Sequence, residues 1–179
     1  MAEGKPRGVW PFSAAFLGVA ILSLFLRLLP LSTLPSSWPG PDLLVGLAFA
    51  WVLRRPDYVP ALLIAAIFLI EDLLTLRPPG LWAMFTVLGA EFLRSREPLS
   101  RELPFPLEWA MVAAVILLMT LGNRLVLALV VSPQSDFGYA FEQMLLTIAC
   151  YPVIVVLSQL LFGVRKSATG EVDSRGRRL

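Results

Sequence analysis

Residues 41–96 read PDLLVGLAFAWVLRRPDYVPALLIAAIFLIEDLLTLRPPGLWAMFTVLGAEFLRSR. Three apolar runs follow one another in this stretch, punctuated by Asp42, Arg54, Arg55, Glu71, Asp72, Arg77, Glu91 and Arg94. Clusters of Pro, Gly and charge separate the runs, which reads as a succession of helices broken by turns. The same pattern extends in both directions. One apolar run lies before residue 30 and two more follow residue 106.

The chain of 179 residues is 57% apolar and 16% charged. Soluble domains carry about 25% charged residues, so this composition reads as an integral membrane protein. The connections are too short to hold a second globular unit, and a single membrane domain over residues 1–179 is expected. A bilayer core of about 30 Å takes roughly 20 residues of helix. Six spans are expected, at 9–29, 42–53, 58–76, 80–93, 107–131 and 138–163, giving an all-α polytopic bundle. The second and fourth are short, covering only about 18–21 Å, so neighbours must shield them or flanking residues extend them. The first run follows Lys5 and Arg7, as in a signal peptide. It is too long for an h-region, and prolines rather than a small-residue cleavage site come after it, so an uncleaved first span is expected.

Basic residues test this layout, because cytoplasmic loops are enriched in them. Twelve fall on one side: Lys5, Arg7, Arg54, Arg55, Arg94, Arg96, Arg101 and the tail residues Arg165, Lys166, Arg175, Arg177 and Arg178. The alternate loops hold only Arg77. Both termini are therefore expected in the cytoplasm, with residues 164–179 as a basic tail. Arg54, Arg55, Arg94 and Arg96 become candidate cytoplasmic contacts, to acidic partners or to anionic lipid. A net charge of +2 gives no reason to expect a nucleic-acid partner.

Several ionisable or polar residues lie inside the spans, and most fall in the outer half: Arg27, Asp42, Glu71, Asp72, Thr120, Asn123, Arg124 and Glu142. An isolated charge costs about 2.5–3.5 kcal/mol at the bilayer centre, so mutual pairing is the cheapest arrangement. Thr120, Asn123 and Arg124 share one helix face, and Glu71 shares another with Thr75. Two readings stay open for these faces. They line an outward-opening polar cavity or partner-helix surface, or they only lock helix register. Glu91 is expected to pair locally with Arg94. Trp10, Trp38, Trp51, Trp82 and Trp109 fall near span ends, as interfacial anchors do. Pro152 is expected to kink the last span, and Gly46 with Ala50 and Ala14 with Gly18 are spaced for close helix packing.

No reaction centre assembles from these residues. There is no histidine and only one cysteine, Cys150, so zinc and iron–sulfur ligation, a Ser–His dyad and an intrachain disulfide all drop out. Neither Asp42 nor Asp72 lies at the depth an intramembrane aspartyl dyad requires, and no phosphate-cradling glycine loop is present. The chain is read as non-enzymatic, with no metal and no cofactor.

The strings PDLLVGLAFAWVLRRPDYVP (41–60), EDLL (71–74), RPPGLW (77–82), EFLRSR (91–96), LPFPLEW (103–109), ACYP (149–152) and GEVDSRGRRL (170–179) carry a resemblance. They are similar to the rod shape-determining MreD family, in the version carried by alphaproteobacteria. Asp42, Arg54, Arg55, Pro56 and Asp72 fit the pattern best, whereas Glu71 stands where a small or apolar residue is expected. The resemblance implies a non-catalytic component of the bacterial inner membrane that serves cell-wall elongation. It also implies direct binding to MreC and, through the wider complex, a link between MreB filaments, the glycosyltransferase RodA and its penicillin-binding transpeptidase. A fold similar to the substrate-binding membrane subunits of vitamin importers is implied too. Short, Pro/Gly-bounded spans with polar residues near the membrane point to a binding site and give the second functional reading, a substrate-capturing subunit of a small-molecule importer.

Overall fold

A computed structural model describes residues 9–29, 39–130 and 136–164, and these are all helix and turn with no strand. The helices are α1 (Val9–Leu28), α2 (Leu43–Arg54), α3 (Ala61–Leu74), α4 (Leu81–Ser95), α5 (Glu97–Glu102), α6 (Phe105–Leu129) and α7 (Phe137–Phe162). Trp38, the basic residues ahead of Val9 and the tail from Arg165 lie outside the described residues.

Local chemistry sets the helix ends. The Asp42 carboxylate accepts from the Val45 N–H at 3.2 Å and caps α2, and Asp136 accepts from Gly138 at 3.1 Å at the start of α7. Pro56 opens a single 3₁₀ turn to Tyr58 after α2. Pro98 and Pro106 sit in the first turns of α5 and α6, where no N–H is missed. Gly80 and Gly163 adopt positive φ at the start of α4 and the end of α7, conformations that side chains disfavour. α7 continues through Pro152. The segment from Glu97 to Glu102 reads as loop in the sequence but forms a short helix.

Individual contacts give the relative directions. α2 and α7 run parallel: Asp42 meets Thr147, Gly46 approaches Ile154, and Trp51 meets Ser158. α4 and α6 run antiparallel, with Gly89 against Val115 and Met119, and Gly122 against Phe85. α6 and α7 are antiparallel as well, joined by Tyr151 to Glu108 and by Trp109 to Ile148. α1 lies antiparallel to α2, with Phe16 on Trp51 near one end and Arg27 beside Asp42 at the other.

The core forms around α2. Leu44 to Arg54 are all buried, so this short helix is enclosed on every side, the state expected of a helix that is apolar all round. A β-carbon at Gly46 would lie 2.5 Å from Ile154 Cδ1, so glycine there lets α7 come close, whereas Gly18 faces open space and serves no such contact. Trp51 belongs to this core and is not an interfacial anchor. It is fully buried, donates to Ser158 Oγ at 3.2 Å and packs on Phe16, Tyr58 and Phe162.

Among the described residues three helices are long and apolar enough to cross a membrane: α1 from Trp10, α6 and α7. Their outward faces carry large apolar side chains, among them Ile21, Phe25, Leu118, Leu125, Val153 and Leu160. A contiguous apolar exterior of this kind is the surface a membrane-embedded helix presents.

Candidate functional site

Polar residues gather at two ends of the bundle. At the first, α1 and α3 terminate while α2, α4 and α7 begin. Here the last turn of α1 supplies Arg27, whose guanidinium pairs with the Glu71 carboxylate and lies 3.9 Å from Asp42 Oδ2. Arg77, from the turn between α3 and α4, approaches the same Glu71 oxygen at 3.9 Å. The Glu71 side chain is fully buried while Arg27 and Arg77 keep 33% and 29% of theirs exposed, so the arginines bring charge to the acid from the surface side. A buried carboxylate without such partners would be strongly unfavourable.

Asp72 is adjacent to Glu71 in sequence but has a different task. Its Oδ2 accepts from the backbone N–H groups of Gly80 at 3.0 Å and Ala83 at 3.2 Å, so it caps α4 from across the turn. Thr75, which shares a face with Glu71, turns its hydroxyl back onto the Glu71 carbonyl at 2.7 Å.

Beside the ion pairs lies a partly open cavity of about 110 Å³ between α2, α4, α6 and α7. Asp42, Arg77, Trp82, Thr120, Asn123 and Arg124 supply its polar wall, with Gln143 and Thr147 from α7. The α6 face expected from the sequence, Thr120 with Asn123 and Arg124, thus meets Asp42 across this space. Arg124 also lies over the Phe137 ring, 5.0 Å from its centroid. Glu142 is exposed and does not line the cavity. It is corrected as a member of the cluster: α7 turns Gln143, Met144 and Thr147 inward, and Glu142 falls on the outer side.

The second polar centre joins the end of α2 to the start of α6 and the middle of α7. Arg54 Nη1 is 2.8 Å from Glu108 Oε1. Tyr151 donates its hydroxyl to the same Glu108 oxygen at 2.9 Å, and Arg54 also donates to the Ala50 carbonyl at 3.2 Å. Arg54 and Glu108 keep only 2% and 0% of their side chains exposed. Arg54 is therefore corrected as a cytoplasmic contact. Its charge is enclosed and spent on Glu108, while Arg55 beside it is half-buried. Arg94 is also partly withdrawn, donating to the Val59 carbonyl at 2.7 Å and pairing with Glu91 at 3.3 Å. Arg96 remains exposed, over the Phe92 ring.

Sequence reasoning therefore missed Glu108, Tyr151 and Trp82, and it gave Arg77 only to a loop. A signal for Glu108 existed: an acid within the first turn of a long apolar helix, where an exposed carboxylate would gain little but a buried one demands a cation. What this defines, among the described residues, is an all-helical protein with three helices long and apolar enough to cross a membrane, one closed polar centre and one open to a cavity. No protein-family model matches the chain, and no curated protein or solved structure shows significant similarity to it.

Proposed function

We propose that the chain is a non-catalytic scaffold of the bacterial inner membrane that belongs to the peptidoglycan elongation machinery. It crosses the bilayer six times with both termini cytoplasmic, and it binds the transmembrane helix of MreC along its outer half. Through MreC it helps couple MreB filaments to RodA and the penicillin-binding transpeptidase. The string resemblance to the MreD family and the one-sided distribution of basic residues support this reading. α2, α3 and α4, with 12, 14 and 15 residues, are short for spans. Enclosure removes α2 from any need to match the lipid, and α3 and α4 expose apolar residues such as Leu69, Leu73, Leu88 and Phe92.

The observation that carries the reading is the convergence of polar groups from α2, α4, α6 and α7 on one cavity at the Arg27 end. Helices associate in lipid through close packing and interhelical hydrogen bonds, since lipid tails compete with apolar side chains. An accessible polar wall inside an apolar exterior offers such bonds to an incoming helix.

The importer reading rests on the same cavity, and its size weighs against it. Pockets for small organic ligands measure about 300–1,000 Å³, several times the 110 Å³ found here. Crosslinking and co-purification from native membranes separate the two. The scaffold recovers MreC; recovery of ATPase subunits and a bound organic compound in its place would overturn it.

A further inference from the structure

Pro152 lies inside α7 and carries no N–H, so the Ile148 carbonyl four residues before it loses its helical donor and is crowded by the proline ring. In a membrane such a carbonyl must find a donor on a neighbouring helix. Trp109 supplies one: its indole N–H donates to the Ile148 carbonyl at 2.9 Å. Two further contacts come from the same stretch of α6. Glu108 accepts from the Tyr151 hydroxyl at 2.9 Å, and Phe105 stacks on the Tyr151 ring with centroids 6.4 Å apart. The start of α6 thus grips α7 where the proline breaks its hydrogen-bond ladder.

On either side of this point α7 is held unequally. Beyond Pro152, Ile154, Val155 and Ser158 are buried. Ile154 meets Gly46, Ser158 accepts from the Trp51 indole, and Phe162 packs on the Trp51 ring, all of which anchor this end to the enclosed α2. Between Phe137 and Cys150 only Met144 and Thr147 are buried. Two hydrogen bonds tie this arm to backbone just ahead of α2, from Gln143 to the Gly40 carbonyl at 3.3 Å and from the Asp42 N–H to Thr147 at 2.8 Å. A segment with few buried side chains opens at lower cost than the core beside it. Every α7 residue on the cavity, Ala140, Gln143, Met144 and Thr147, belongs to this less anchored arm. We propose that Pro152 is a hinge in α7 and that the Trp109 indole is its latch. While the indole holds the Ile148 carbonyl, α7 keeps its line and the cavity its shape. When that bond opens, the arm from Phe137 to Thr147 swings and reshapes the cavity wall. The hinge involves α2, α6 and α7 alone and does not depend on the scaffold reading.

The test uses the purified full chain in a maltoside detergent, with Cys150→Ala as the parent. Spin labels at Glu142→Cys and Leu73→Cys, both exposed, report on the arm, and labels at Leu160→Cys and Leu62→Cys report on the anchored end. Glu142 stands about 15 Å along α7 from Pro152, so a kink of about 20° carries it about 5 Å. Trp109→Phe keeps an aromatic ring and removes the N–H. It is expected to broaden or shift the first distance distribution by about that amount and to leave the second as it was. Pro152→Ala gives the helix back its N–H, so the double variant Trp109→Phe with Pro152→Ala should return the first distribution to that of the parent. A second readout needs no indole variant. Pro152→Ala alone should slow hydrogen exchange from Phe141 to Thr147 about fivefold, the effect of gaining one hydrogen bond, with no change from Ile154 to Ser158. Four results would overturn the proposal: an unchanged first distribution in folded Trp109→Phe, a change that persists in the folded double variant, equal broadening of both label pairs, or unchanged exchange in Pro152→Ala.

Discussion

The two polar centres use the same pairing chemistry in different surroundings. At the closed centre Arg54 and Glu108 are 2% and 0% exposed and share Tyr151 as a third member. At the open centre Glu71 is as deeply buried, but its arginines, Arg27 and Arg77, keep 33% and 29% of their side chains exposed. An enclosed pair has no alternative partners, so it can only hold the helices that carry it. Arginines at the edge of a cavity can exchange one acceptor for another. The difference therefore separates an enclosed lock from an accessible polar surface, although both read as charges in an apolar background.

The largest effect should come from breaking the lock. Glu108→Ala leaves Arg54 buried without its acid, a change that costs about 3–5 kcal/mol where it has been measured in protein interiors. Thermal unfolding in detergent should show that loss, and the double variant Arg54→Met with Glu108→Leu should recover most of it. A loss no greater than that of Glu71→Ala would erase the distinction between the two centres.

A smaller effect is expected from Asp72→Ala, which removes the cap on α4. The loss should be about 0.5–2 kcal/mol, and it should appear as earlier hydrogen exchange at Gly80 and Ala83. Protection unchanged at those two amides would show that Asp72 contributes through charge and not through capping. Smaller still is Glu71→Ala, because Arg27 and Arg77 can turn to solvent once the acid is gone. About 0.2–1 kcal/mol is expected, discounted for the exposure of the arginines. A loss as large as that of Glu108→Ala would mean that the open centre is as tightly locked as the closed one.

The contrast between the centres was only half legible in the sequence. Long apolar runs with Pro and Gly between them mark the helices, and of the six spans expected from them α1, α6 and α7 are, among the described residues, long and apolar enough to cross a membrane. The face formed by Thr120, Asn123 and Arg124 follows from helical spacing, and Asp42 does line the same cavity. The centrality of α2 was hidden, because a helix that is apolar all round looks the same whether lipid or protein surrounds it. That ambiguity placed Trp51 at an interface and Arg54 in a basic loop with Arg55. Glu108 lay beside Trp109 at the edge of a run, and nothing local connects it to Arg54 or Tyr151. Long-range pairs of this kind depend on which helices become neighbours, and spacing along one helix does not encode that.

The claim that the open centre works while the closed centre holds is tested most directly by recovering partners from native membranes. Arg124→Gln should be compared there with the double variant Arg54→Met and Glu108→Leu. With both proteins folded, as judged by melting temperature, the scaffold proposal expects the double variant to retain MreC and Arg124→Gln to lose most of it. Retention of MreC by Arg124→Gln, or its loss from the folded double variant, would contradict the division of roles between the two ends.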